Sequence, residues 1–74
     1  MNADYEKAVG QKLRYLREKS GLTQEQLSAK LQVNGCDITR SALAKIEVGQ
    51  RHLYIDELKQ FKKILCVTYN DILE

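Results

Sequence analysis

The chain has 74 residues, of which 43% are apolar and 30% charged, and its formal net charge is +2. These values are typical of one small folded domain, with a marginal core, because a chain of this length buries only about 60–65% of its unfolded surface. No run approaches the roughly 20 apolar residues of a membrane span, and the first residues lack the apolar core of a secretory signal. A cytoplasmic protein without membrane association is therefore expected.

The residue inventory gives little support to metal binding or catalysis. Cys36, Cys66 and the single histidine, His52, lack the close ligand pairs of a structural zinc site. Cys66 lies among apolar residues and is expected in or near the core. The serines have no plausible His and Asp partners, and there is no Gly-rich phosphate loop. We expect no metal, no cofactor and no enzymatic activity.

Two helices are predicted in the first half of the chain. The apolar spacing predicts a helix over residues 4–20, ended by Gly21. Thr23 is predicted to cap a second helix, residues 24–31, and Gln26 completes a capping box. The apolar positions of the first helix recur every three or four residues: Tyr5, Val9, Leu13 and Leu16.

Three more helices are predicted in the second half. Thr39 caps a helix over residues 40–48, which Gly49 ends. Two further helices are predicted over residues 55–65 and 69–73. The side chains expected to face the core are Leu43, Ile46, Leu58, Phe61, Leu65, Ile72 and Leu73.

The ordered set of motifs resembles the helix-turn-helix domain of the lambda-type repressor and Cro family, also called the XRE family. The resemblance covers residues 9–73. It implies an all-α, compact five-helix lambda-repressor-like DNA-binding domain occupying residues 1–74, with a lengthened turn between helices 2 and 3. The matching segments are Val9-Gly10-x-x-Leu13-x-x-Leu16-Arg17, Gly21-Leu22-Thr23-Gln24-Glu25-x-Leu27-x-x-x-Leu31 and Thr39-Arg40-Ser41-x-Leu43-x-Lys45-Ile46-Glu47-x-Gly49-x-Arg51, followed by Leu58, Phe61 and Leu65.

The third helix, with its cap at residues 39–48, is the candidate for reading the major groove of double-stranded DNA. A helix entering the groove presents short or polar side chains at its N-terminal end. Arg40 is expected to read guanine through O6 and N7, and Ala44 can meet a thymine methyl. Ser41 and Lys45 share one face of the helix. Without the resemblance, Arg40 and Lys45 would be better explained as ordinary solvated charges.

By resemblance, other residues hold the DNA backbone. Gln24 at the start of the second helix is expected to touch a phosphate and to brace the third helix. Arg51 either binds a phosphate or folds back to cap the carbonyls of the third helix. The full set of predicted DNA-binding residues is Gln24, Thr39, Arg40, Ser41, Ala44, Lys45, Gln50 and Arg51.

The resemblance also implies one structural ion pair. Arg17 and Glu47 align with positions that join helix 1 to the end of helix 3, at a desolvation cost. The sequence departs from the family at Tyr54, where a Ser or Thr cap is usual, and at Lys62, where a small buried residue is common. Lys62 is expected to loosen that side of helix 4 or to extend its charge outward.

The connection between helices 2 and 3, residues 32–38, is longer than the three or four residues of a tight helix-turn-helix. Its Asn-Gly pair predicts a turn. Val33 and Ile38 are expected to anchor the ends of a polar bulge. It is either a tolerated surface insertion, which costs little entropy, or a segment that contacts a partner or the DNA backbone. Asp37 disfavours the backbone contact and suits the start of helix 3.

The function implied is a sequence-specific transcriptional regulator, in particular a repressor that binds DNA as a homodimer. Tyr69, Ile72 and Leu73 are candidates for the dimer contact, or all three belong to the core. The alternative is an antitoxin-like or other protein-interaction module that uses the same fold.

Overall fold

The computed structural model describes residues 3–74, with side chains from Asp4 onward. Five α-helices follow one another: α1 Ala3–Lys19, α2 Gln24–Val33, α3 Arg40–Glu47, α4 Ile55–Leu65 and α5 Tyr69–Leu73. The all-α prediction is confirmed; the bounds of α1, α2 and α3 differ from the predicted ones by one or two residues, and those of α4 and α5 coincide with them. Within residues 3–74, no helix is long and apolar enough to cross a membrane.

The predicted N-caps form as hydrogen bonds. Thr23 Oγ1 accepts from the Gln26 amide at 3.1 Å, and Gln26 Oε1 accepts from the Thr23 amide at 2.9 Å. Thr39 Oγ1 accepts from the third amide of α3 at 3.1 Å. At α4 the missing Ser or Thr is compensated from inside the helix, because the Glu57 carboxylate accepts from the Tyr54 amide at 3.1 Å.

One apolar core joins all five helices. Three sequence expectations about it are wrong, because Tyr5 is 48% exposed, Leu73 is 39% exposed, and Cys66 is also exposed. Leu58 is half-buried at the edge of the core. The buried apolar side chains are Val9, Leu13, Leu16, Leu27, Leu31, Cys36, Ile38, Leu43, Ile46, Phe61, Leu65 and Ile72.

Cys66 is exposed because of where α4 ends. It follows the last helical residue and adopts a left-handed conformation, with φ 56° and ψ 46°. Residues other than glycine occupy this region at a cost of roughly 1–2 kcal/mol. The chain leaves the apolar face of α4 at this residue, so the run of apolar neighbours in the sequence does not place Cys66 in the core.

The lengthened turn is a packed element. Gly35 has φ 81°, which glycine adopts without a steric penalty. The Gly35 amide donates to the Gln32 carbonyl at 3.0 Å, and the Cys36 amide donates to the Leu31 carbonyl at 2.9 Å. These two bonds are the Schellman pattern that ends a helix. They carry Cys36 back into the core, while the other residues of the predicted bulge stay exposed.

The two ends of the turn behave differently from the sequence expectation. Ile38 is fully buried, whereas Val33 is 87% exposed, so Val33 is not an anchor. α2 continues helically through Val33, and this places its side chain on the solvent face. The Ile38 carbonyl is held from α2, where Ser28 Oγ donates to it at 2.8 Å and Gln32 Nε2 at 3.2 Å.

The α1 helix passes very close to the C-terminal end of α3. A Cβ atom added to Gly10 would lie 2.2 Å from the Ile46 carbonyl oxygen and 2.9 Å from that of Glu47. Only glycine permits this approach. The contact sets the distance between α1 and α3, and therefore the position of α3 in the domain.

Candidate nucleic-acid interface

The α3 helix has one buried face and one polar face. Leu43 and Ile46 are buried against the other helices. The opposite face carries two cations, Arg40 and Lys45, whose side chains make no hydrogen bond or ion pair within the described residues. Their charge is therefore free to interact with an anion. Four of the predicted groove residues, Thr39, Arg40, Ser41 and Lys45, are exposed, and Ala44 is half-buried among them.

Arg17 and Glu47 form a buried ion pair that joins α1 to the last residue of α3. Arg17 Nε lies 2.7 Å from Glu47 Oε2, and Arg17 Nη2 lies 3.2 Å from Glu47 Oε1. The two side chains are only 8% and 1% exposed. A bidentate guanidinium–carboxylate pair fixes orientation as well as distance. It therefore holds the end of α3 at a set angle to α1.

Gln24 completes this arrangement from α2. Its Nε2 donates to Glu47 Oε1 at 3.0 Å, so the carboxylate receives bonds from two helices. Arg17 Nη1 donates to the Leu22 carbonyl at 2.8 Å, in the link that precedes α2. The expected bracing of α3 by Gln24 is thus a direct hydrogen bond. We refer to Arg17, Gln24 and Glu47 as the α3 clamp.

The C-terminus of α3 is capped by the backbone. Gly49, with φ 77°, donates its amide to the Ile46 carbonyl at 3.1 Å, and the Gln50 amide donates to the Lys45 carbonyl at 2.8 Å. These bonds again form a Schellman ending. They satisfy the carbonyls that Arg51 would cap in one of its two predicted roles.

Arg51 turns instead toward α4. Its Nη1 and Nη2 each lie 2.9 Å from a Glu57 carboxylate oxygen, and Nη1 also donates to the His52 carbonyl at 3.0 Å. The alternative in which Arg51 caps α3 is therefore wrong. The Arg51 hydrogen bonds lower the pKa of Glu57 below its usual value, with a smaller contribution from the Tyr54 amide, while burial opposes the shift.

Sequence reasoning missed this Arg51–Glu57 pair. The sequence could have indicated it, because Arg51 stands six residues before Glu57, and Glu57 occupies the third position of α4. His52 makes a second connection, with its Nδ1 2.7 Å from Glu6 Oε1 of α1. The loop between α3 and α4 is thus tied to both α1 and α4, which fixes the position of Gln50 and Arg51 beside α3.

An apolar groove lies between α1, the α3–α4 loop and α4, and Arg51 is among its lining residues. Its volume is about 200 Å³, and its wall includes Val9, Leu53 and Leu58. Two strongly exposed residues stand at this groove, Tyr5 at 48% and Ile55 at 85%. Such a patch on a small protein is a candidate surface for association.

Comparison with known proteins agrees with this geometry. A family profile described as helix-turn-helix matches residues 13–68 of the chain. Control protein C.BamHI of Bacillus amyloliquefaciens is 35% identical over 66 residues, which cover 88% of this chain and 75% of that protein. No solved structure gave a significant match. The chain belongs to the helix-turn-helix family of Cro/C1-type DNA-binding transcriptional regulators.

Proposed function

We propose that the protein is a repressor that binds DNA as a homodimer and reads each half-site through the exposed face of α3. The observation that carries the proposal is the α3 clamp. Arg17 and Gln24 hold Glu47 from two helices, and α3 presents two unpaired cations on its outer face. A rigid, basic, polar-faced helix of this kind fits the major groove. The related control protein supports a regulatory role.

We propose two roles for the predicted DNA-binding residues. Arg40, Ser41, Ala44 and Lys45 contact base edges, with Arg40 paired to a guanine. Thr39 also faces the groove, and the backbone contacts are proposed for Gln24, Gln50 and Arg51. At Arg51 a phosphate would have to compete with the Glu57 carboxylate for the same donors, so its share of the affinity is expected to be small.

The dimer is proposed to form through the apolar groove, with a second copy of the chain as the occupant. A two-fold contact uses the same patch on both molecules, so that patch must contain both a projection and a recess. Here Ile55 projects from the start of α4 beside the groove, and each copy can place its Ile55 in the groove of the other. Ile72 is buried and is therefore no longer a candidate for the dimer contact.

The size of the molecule is compatible with this arrangement. The Cα extents are 30 × 22 × 20 Å. Two such molecules side by side can separate their α3 helices by about 34 Å, the distance between half-sites one helical turn apart. One module alone buries only about 600–1,000 Å² on DNA, so pairing is needed for tight binding.

A salt titration tests DNA binding. Duplexes enriched from genomic fragments are titrated with the protein at 50 to 300 mM salt. The logarithm of the association constant is expected to fall linearly with that of salt, by about 0.9 per phosphate neutralised. Absence of binding at 50 mM salt would contradict the proposal. Repression is tested by transcription in vitro from a promoter carrying the selected site, where transcripts should decrease as the protein is added.

The dimer is tested by sedimentation equilibrium on two variants. Ile55→Glu places a charge at the proposed contact and is expected to give monomers and weaker binding to a two-half-site duplex. Val33→Glu is the matched control, because Val33 is 87% exposed and Ile55 is 85% exposed. Val33 does not line the groove. A monomeric wild type, or equal behaviour of the two variants, would rule out this interface.

A further inference from the structure

A second, polar cleft opens between α1 and α3 at the start of α2. It has a volume of about 620 Å³. The residues that line it are Arg14, Arg17, Leu22, Thr23, Gln24, Glu25 and Arg40. Three arginines from two helices therefore face one opening, although only one of them was expected to contact DNA.

The polar groups of this cleft differ in what they already bind. Arg17 directs its donors to Glu47 and to the Leu22 carbonyl. The Gln24 amide is bonded to Glu47, and Thr23 Oγ1 accepts from the backbone of α2. The side chains of Arg17 and Thr23 are satisfied within the protein and form the floor of the cleft, and Gln24, which also lines it, remains a proposed backbone contact.

Arg14 and Arg40 stand apart from this network. The Arg40 side chain makes no hydrogen bond or ion pair within the described part of the chain. Arg14 is paired only with Glu18, at 3.7 Å between Arg14 Nε and Glu18 Oε2, and the two side chains are 58% and 56% exposed. A pair of this kind contributes less than about 1 kcal/mol and is easily exchanged for another anion. Glu25 is the one acidic side chain of the lining, so Arg14 and Arg40 give the cleft an excess of positive charge.

We infer that Arg14 binds a phosphate of the DNA backbone, with the phosphate seated in the cleft between Arg14 and Arg40. The inference rests on the proposed placement of α3 in the major groove. The proposed backbone contact of Gln24 brings the strand that borders the groove to the start of α2, and Gln24 lines this same cleft. Arg14 then supplies from α1 a backbone contact that complements the base contacts of α3. A contact to phosphate carries no sequence information, so Arg14 contributes affinity and orientation.

The test compares two variants that each remove one positive charge. Arg14→Gln changes the cleft, whereas Lys63→Gln changes an exposed lysine on α4 that does not line it. Binding to an operator duplex and to a random duplex is measured from 100 to 300 mM salt. One lost phosphate contact should reduce the salt slope by about 0.9, which corresponds to about eightfold weaker binding at 100 mM and about threefold at 300 mM.

Arg14→Gln is expected to show this loss equally on both duplexes, Lys63→Gln is expected to keep the wild-type slope, and Arg14→Lys should restore most of it. Thermal melting followed by circular dichroism verifies that each variant is folded. If the wild type binds and Arg14→Gln and Lys63→Gln have the same salt slope, the proposed phosphate contact of Arg14 is wrong. The DNA-binding proposal then still stands. If the wild type binds no duplex at 50 mM salt, both fail.

Discussion

Arg17 of α1 and Glu47 of α3 face each other in the interior, with Arg17 Nε 2.7 Å from Glu47 Oε2 and the two side chains 8% and 1% exposed. Burying two charges costs several kcal/mol for each ion, and the bidentate geometry offsets that cost. The value of the pair for function is positional. It couples the orientation of α3 to the core, and Gln24 couples both to α2.

Removing one partner of this pair should strongly destabilise the folded protein. Arg17→Ala leaves Glu47 buried without its cation and is expected to lower the free energy of unfolding by about 3–5 kcal/mol. Arg14→Ala, one turn earlier and exposed, should change it by less than about 1 kcal/mol. Urea unfolding of both variants measures the difference. A loss below 1 kcal/mol for Arg17→Ala would show that the pair does not stabilise the fold.

Because α1 lies so close to α3, replacing Gly10 with alanine should destabilise the protein, whereas the same change in an open helix is stabilising. In an open helix Gly→Ala stabilises by about 1 kcal/mol. At Gly10 the new Cβ would meet the Ile46 carbonyl oxygen at 2.2 Å, so Gly10→Ala should destabilise by about 1–3 kcal/mol through displacement of α3. Gln11→Ala, at the exposed neighbouring position, serves as the control. A stabilised Gly10→Ala protein would mean that the two helices are further apart.

The lengthened turn can be tested at its two ends. Ile38→Ala empties a fully buried site and is expected to cost about 2–5 kcal/mol. Val33→Ala shortens an 87% exposed side chain and should change stability by less than about 0.5 kcal/mol. Chemical denaturation of the two variants distinguishes a packed turn from a loose insertion, for which both costs would be small.

The Arg51–Glu57 pair predicts a dependence of stability on pH. The pKa of Glu57 is lowered in the folded protein, chiefly by the Arg51 hydrogen bonds. The stabilisation that ionised Glu57 adds to the free energy of unfolding is therefore present above the unfolded pKa of about 4.3. It is lost as pH falls through the lower folded pKa. Glu57→Gln should flatten the acid loss of stability between about pH 5 and 3. Urea unfolding at several pH values measures this, with Asp56→Asn, which removes a neighbouring exposed carboxylate that has no ion pair among residues 3–74, as the matched change of charge.

Much of the helical framework could be predicted from local rules. Thr23 and Thr39 precede their helices as caps, and Gly49 ends α3, because these residues satisfy terminal backbone groups wherever they stand. The Arg17–Glu47 pair came from family resemblance, since no local pattern joins residues 30 positions apart.

What escaped prediction depends on the three-dimensional arrangement. Cys66 is surrounded by apolar residues in the sequence, yet α4 ends in a left-handed turn that leaves it exposed. Val33 was expected to anchor the turn, yet α2 extends far enough to turn it outward. The Ser28 and Gln32 bonds to the Ile38 carbonyl explain why the long turn does not disturb α3, and no composition signal indicates them.

The reading of DNA by α3 is tested most directly by selecting bound sequences from a random duplex library with the wild-type protein and with Arg40→Ala. The wild type is expected to enrich two half-sites whose centres are one helical turn, about 34 Å, apart. Arg40→Ala should lose its preference for one guanine in each half-site, worth about 1–3 kcal/mol, and keep the other positions. Identical enriched sequences for the two proteins, or no enrichment by the wild type, would contradict base recognition by Arg40 on α3.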